Sequence, residues 1–189
     1  RLAEADSYRS FTVDAVAKQA DVAKATVYYQ FGSKTGLLEA LCDQLAAAGG
    51  MSGMPAAFTN PDPMAGLRTL VGVFAGFWAE DRTVMRRLRA LAALDPEVGK
   101  VIAGRDQRRH GALAVLVGRI LGGGGRQPPP AREQLVRTLC MLTSFEAFDA
   151  LAGPDRPLRE ATGEVIRLVD AALQPNPALP AANGATTHD

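Results

Sequence analysis

Aromatic residues, cysteine, histidine and surplus charge are all scarce in this 189-residue chain, and each scarcity closes off a class of protein. Only 6% of the residues are aromatic, while alanine, leucine and valine abound, a balance that favours packed helices over sheet. The two cysteines, Cys42 and Cys140, stand far apart and fit no metal or redox spacing. They read as free thiols of a reducing cytoplasm, not as a disulfide frame. With His110 and His188 as the only histidines, no paired-histidine metal motif exists, and no metal or cofactor is expected. No serine or cysteine sits in a nucleophile signature. The run Gly122 to Gly125 is followed by prolines and lacks the lysine and helix of a phosphate loop. An enzyme is therefore not expected. No apolar run is long enough to span a bilayer and no signal peptide is visible, so a cytoplasmic protein is expected. The formal net charge is +1. In the window 1–48, Arg1, Arg9, Lys18, Lys24 and Lys34 face six acids, so any contact with nucleic acid rests on placed side chains, not on bulk charge.

What is abundant is hydrophobic residues, at 47%, enough for a sizeable core. The chain opens at Arg1 without a methionine and enters a helical pattern at once, which predicts residues upstream. Breakers then divide it. Gly49, Gly50, Gly53, Pro55 and the cluster Asn60-Pro61-Asp62-Pro63 mark 49–62 as a connecting loop. A small module over 1–48 precedes it, and a helical domain over 63–174 follows. Helices are predicted over 64–79, 82–94 and 95–121, the last opened by Asp95-Pro96-Glu97 and with Arg105, Asp106, Arg108 and Arg109 on its polar side. Four glycines and three prolines force a break at 122–130. Helices over 131–151 and 157–173 come next, and the composition of 175–189 predicts a disordered tail. No strand alternation stands out. The fold class is all-α.

The informative stretch is Phe11 to Lys34. Thr12 caps a short helix over 13–20, Asp21-Val22-Ala23 has the length of a helix-turn-helix connection, and a second helix runs from Lys24 to Phe31. Val27 and Phe31 lie on its buried side, which leaves Lys24, Ala25, Thr26, Tyr28 and Tyr29 outward. Such residues suit a DNA groove: Thr26 and Lys24 can reach base edges, and tyrosine hydroxyls can bond phosphates. Lys34 lies in the first turn of the next helix, where backbone N–H groups already favour a phosphate. A plain three-helix corner with aromatic packing is the competing reading of the spacing.

The run Thr12-Val-Asp-Ala-Val-Ala, then Ala20-Asp-Val, then Thr26-Val-Tyr-Tyr-Gln-Phe-Gly-Ser-Lys34, then Leu37-Leu38, resembles the DNA-binding domain of tetracycline-repressor-like (TetR family) regulators across about residues 7–41. The resemblance implies an all-α homodimer that binds a palindromic operator in double-stranded DNA and is released by a ligand. It puts Lys24, Ala25, Thr26 and Tyr29 at the major groove and Thr12, Tyr28, Ser33 and Lys34 on phosphates. Residues 1–8 correspond to the end of a first helix. Three positions depart from the pattern. Asp21 stands where glycine is usual, Ala23 where a serine or threonine cap is usual at a cost of ~1 kcal/mol, and Gly36 weakens the start of the following helix.

Beyond residue 45 the resemblance fades to helix count and order. Phe74, Phe77, Trp78, Met85, Leu88, Leu113, Met141, Phe145 and Phe148 are bulky groups that could line a cavity, with His110 as a polar candidate beside Thr143 and Ser144. They imply a hydrophobic or aromatic effector; ordinary core is the alternative for each. Glu146 interrupts an apolar face and must reach solvent, pair across a dimer or hold a ligand. Helices 131–151 and 156–173 are the expected homodimer faces. The expected mechanism is a population shift in which ligand spaces the two DNA-binding modules wrongly. The rival reading is a helical small-molecule-binding or adaptor protein without DNA binding.

Overall fold

The computed structural model describes residues 12–122 and 129–174, and every regular element among them is helical. The expected end of a first helix, the glycine-proline break over 123–128 and the expected disordered tail lie outside the described residues. In chain order the α-helices are α1 Val13–Ala20, α2 Lys24–Phe31, α3 Lys34–Ala48, α4 Met54–Thr59, α5 Pro63–Glu80, α6 Arg82–Leu94, α7 Pro96–Ile120, α8 Pro129–Leu142, α9 Phe145–Ala152 and α10 Thr162–Leu173. Short 3₁₀ turns at Met51–Gly53 and Leu158–Ala161 precede α4 and α10.

Side-chain caps set several of these boundaries. Asp81 accepts the Val84 N–H at 2.9 Å to open α6. Asp95 ends α6 and accepts the Glu97 N–H at 2.9 Å to open α7, with Pro96 at the first position where a missing N–H costs nothing. The interior is built from apolar stripes at helical spacing. Leu67, Leu70, Val71 and Phe74 of α5 meet Leu113, Leu116 and Val117 of α7, Val136 and Leu139 of α8, Phe148 of α9, and Val165 and Val169 of α10. A second cluster joins Leu38 and Cys42 of α3 to Val84, Leu88 and Leu91 of α6 and Val98 and Val101 of α7. Gly49, just after α3, lets that helix cross α5 closely: a Cβ there would lie 2.6 Å from the Phe77 Cα.

Three sequence expectations change. Residues 49–62 hold a 3₁₀ turn and α4, with Ala57 fully buried, and are not one connecting loop. Arg119, near the end of α7, donates to the carbonyls of Phe58 at 2.7 Å and Asn60 at 2.6 Å, which satisfies the end of a helix too short to stand alone. The helix expected over 131–151 is two, broken at Thr143–Ser144. Ser144 is extended, and its hydroxyl accepts the Ala147 N–H at 3.1 Å as the cap of α9. The Thr143 carbonyl thereby freed accepts the buried Trp78 Nε1–H at 3.0 Å. Residues 158–161, expected to begin the last α-helix, form the second 3₁₀ turn.

Candidate nucleic-acid interface and effector cavity

α1, α2 and α3 form a small module around Val13, Ala17 and Val27, with Phe31 and Leu37 packed against them. Thr12 accepts the Ala15 N–H at 3.2 Å to start α1. Asp21 ends it at φ 55°, the one non-glycine residue at positive φ among those described. Short polar side chains tolerate this left-handed region best, at some cost over glycine. The Val22 N–H then bonds the Ala17 carbonyl at 3.0 Å and aims the chain into α2. Ala23 supplies no cap bond, as its side chain dictates. Val27 anchors α2 inward, which leaves Lys24, Ala25, Thr26, Tyr28 and Tyr29 outward, Tyr29 being 92% exposed. Lys24 reaches Asp14 at 2.9 Å and lies 5.9 Å from the Tyr28 ring centroid. The Asp14 hydrogen bond, then its charge, raises the Lys24 pKa.

Ser33 accepts the Gly36 N–H at 3.0 Å to open α3. Gly36 has a steric cause that the sequence hid: a Cβ would sit 2.1 Å from the Phe31 carbonyl oxygen. Lys34, expected to hold a phosphate, is half-buried and bonded to Asp95 at the corner of α6 and α7, with Glu97 4.0 Å away. The Lys34 hydrogen bond is the largest effect on Asp95, and with the Val98 and Glu97 amides it holds that carboxyl below its ordinary pKa against partial desolvation.

A cavity of about 30 Å³ lies where α3, α5, α6 and α7 meet. Phe77, Trp78, Met85, Leu88, Ile102 and Cys42 line it together with Arg89, Arg105 and Asp106, and the surface it presents is almost wholly apolar. Burial is the main cause that pushes the Cys42 thiol up in pKa, so it is a neutral, apolar part of the wall. Arg89 makes two bonds to Asp106, at 2.6 and 3.1 Å, and its Nε lies 3.2 Å from Glu146. Burial works to lower the Arg89 pKa, but the Asp106 bonds and both carboxylate charges outweigh it and leave the value raised. Arg109 bonds Asp106 at 3.2 Å and the Cys140 carbonyl at 2.6 Å. Both guanidiniums lie over the Trp78 ring, at 5.5 and 6.0 Å. Arg105 instead reaches α3, where its Nη2 donates to the Glu39 carbonyl at 3.1 Å and to Asp43 at 2.6 Å. The Nε–H groups of Arg105 and Arg109 are buried without a hydrogen-bond partner.

Residues 1–41 match the family model for bacterial regulatory proteins of the tetR family. Over these residues the chain is similar to the DNA-binding end of tetR-family regulators, and DNA-binding transcriptional regulation is the class of function that this likeness supports. Comparison with curated proteins gave no match. Among solved structures, the TetR family transcriptional regulator PfmR from Thermus thermophilus aligns at 21% identity and a TM-score of 0.57, over 89% of this chain and 92% of that one. At that identity the likeness is one of fold, and it extends through the helices behind the module. No described helix of the chain is long and apolar enough to cross a membrane.

The residues expected to line a cavity divide four ways. Phe77, Trp78, Met85 and Leu88 border it. Phe74, Leu113, Phe145 and Phe148 are core, with Phe145 meeting Trp78 edge-on at 6.0 Å. His110 bonds Glu133 at 3.2 Å between α7 and α8. Met141 is 58% exposed and is no part of the wall. Glu146 is exposed and pairs with Arg89 of its own chain. The sequence reading missed Arg89, Arg105 and Asp106 as cavity residues and put Arg105, Asp106 and Arg109 on the polar side of their helix. Their spacing carried the signal: Val98, Ile102, Arg105, Arg109 and Leu113 recur every three or four residues, one stripe of one helix.

Proposed function

We propose that this protein is a homodimeric repressor that holds a palindromic operator through α2 and leaves it when a small molecule occupies the cavity. The observation that carries the reading is the double duty of α3. Leu37 on that helix packs against the Val13–Val27 core that seats α2, while Leu38 and Cys42 pack against α6 and α7, and Cys42 also lines the cavity. Whatever widens the cavity therefore acts on the helix that seats the recognition helix. In this reading Thr26 and Lys24 read bases, and Tyr28, Ser33 and Lys34 hold phosphates, which carry no sequence code.

A coupling of about 1–3 kcal/mol between the two sites would weaken operator binding roughly 5- to 150-fold. Pairing of α8 and α10 with their copies would cover the exposed Met141 and Leu168 and form a four-helix interface. A two-fold axis would then set the two α2 helices about 34–36 Å apart, one turn of DNA or slightly more. The test is selection of bound sequences from random duplex DNA by the full chain at fixed salt. A two-fold symmetric site is expected. Recovery of background sequence alone by a folded dimer would retire the repressor in favour of a helical sensor or adaptor.

A further inference from the structure

We propose that the effector is an uncharged, apolar molecule of about one ring, and that the cavity makes room for it by yielding on its α3 side. The inference rests on reading the cavity as the effector site and deepens it to a chemical class and a direction of movement.

The chemical class follows from how the charges at the cavity are spent. Arg89, Arg105 and Asp106 border it, yet the surface it presents is almost wholly apolar. Asp106 takes Arg89 at 2.6 Å and Arg109 at 3.2 Å, and the Arg89 Nε also lies 3.2 Å from Glu146. Arg105 donates to the Glu39 carbonyl and to Asp43 on α3. The Nε–H groups of Arg105 and Arg109 lack partners, but they are buried and form almost no part of the surface an occupant would touch. An ionic headgroup entering here would lose its water and gain no partner, so anions and cations are both disfavoured. The sulfurs of Met85 and Cys42 and the rings of Phe77 and Trp78 suit a neutral apolar body instead.

Size makes entry a mechanical event. About 30 Å³ holds roughly two waters at about 10–15 Å³ each. A cavity that takes up benzene measures about 150 Å³, so even one ring requires several-fold growth. A second ring would require more again, which favours the small occupant.

The walls differ in how firmly they are held. Trp78 of α5 donates its Nε1–H to the Thr143 carbonyl at 3.0 Å and meets Phe145 edge-on at 6.0 Å. The guanidiniums of Arg89 and Arg109 lie over the same ring. Met85 shares the large core with Trp78. α3, by contrast, contributes Cys42 to the wall and is held there by the smaller cluster around Leu38 and Cys42. Arg105 adds a tie to Asp43, but that carboxylate is 70% exposed and such a pair contributes little. The end of α3 is fixed where Gly49 crosses the Phe77 backbone too closely for a Cβ. Outward pressure at Cys42 therefore swings the other end, which carries Leu37 beneath α2 and strains the Lys34–Asp95 pair.

Trp78 is the only tryptophan of the chain and lines the cavity, so its fluorescence reports occupancy without DNA. The probes are toluene, benzoate, protonated benzylamine and naphthalene, titrated into the full chain. Toluene should change the emission saturably and bind at least about tenfold tighter than either charged probe. Naphthalene should bind no tighter than toluene. Cys42→Val, which fills the cavity from the α3 side, should weaken toluene about tenfold. Asp43→Asn, a change at an exposed position, should tighten it about two- to fivefold by freeing α3. With toluene bound, amide exchange should quicken in α3 relative to α5. Should Cys42→Val not fold, Asp43→Asn and the exchange pattern still decide. A charged probe that matches toluene, tighter binding of naphthalene, silence of Trp78 with every probe, or quickened exchange in α5 instead of α3 would each overturn the proposal. So would toluene binding indifferent to both variants. Toluene binding by a chain that selects no DNA site would overturn the repressor instead and leave this inference standing.

Discussion

Among the described residues, Val13, Ala17 and Val27 are the buried core beneath α2, whereas twenty buried residues between Ala57 and Val169 form the core of the helices behind it. Burial of one valine contributes about 1.5–3 kcal/mol, and such a cluster falls far short of the conformational entropy of ordering three helices. The module therefore draws on the other face of α3, where Leu38 and Cys42 are buried among α6 and α7. Support and orientation come from the same contacts. A larger module would be steadier, and harder to steer from the cavity.

The sharpest way to break the comparison is Phe148→Ala in the large core. Loss of that fully buried ring should cost about 3–5 kcal/mol in denaturant unfolding. Amide exchange in α2 should quicken in step; unchanged α2 protection would show that the module stands alone. Gly36→Ala attacks the small core directly through the 2.1 Å clash with the Phe31 carbonyl. About 1–3 kcal/mol should be lost from the module, read as faster α2 exchange and weaker DNA binding, with the main unfolding transition in place.

Asp95→Asn tests the tether between the halves, because asparagine still caps α7 while the Lys34 ion pair is lost. The Asp95 pKa is depressed in the fold, so its contribution is complete above the ordinary carboxylate pKa and fades as pH falls through the lowered value. The variant should lose up to ~1 kcal/mol at neutral pH and show a correspondingly smaller decline in acid. Equal stability curves for the two proteins from neutral to acid pH would assign the pair no energetic role. Asp21→Gly should do least, raising module stability by about 0.5 kcal/mol as left-handed strain is relieved against the greater chain entropy of glycine. A lower stability in that variant would show that the aspartate side chain contributes something beyond its backbone.

Legibility in the sequence followed the same division. Helices α1, α2 and α6 run as the caps, breakers and stripes dictate, because Thr12, Gly32, Asp81 and Asp95 signal their ends locally. α4 and the break at Thr143–Ser144 were hidden, since each answers to a distant partner: Arg119 satisfies the carbonyls after Phe58, and Trp78 takes the carbonyl that the break frees. The outward set on α2 was readable once Val27 was taken as its anchor. The cavity was readable only in its apolar residues, from Phe77, Trp78, Met85 and Leu88. Its arginines were read by residue type where their helical spacing carried the information.

The pairing of Lys24 with Asp14 and of Lys34 with Asp95 has a consequence for ionic strength. A free lysine that neutralises a phosphate releases a condensed counterion, which steepens the salt dependence of binding by about 0.9 in log–log slope per contact. A lysine that leaves a carboxylate to take a phosphate must first break its own ion pair, and the stranded carboxylate, an isolated charge, condenses no counterion in return. Under the proposed function each of these two contacts would keep its share of the salt slope while adding less affinity than a free lysine. A larger share of operator affinity would then fall to the uncharged fit of Thr26 and Tyr29.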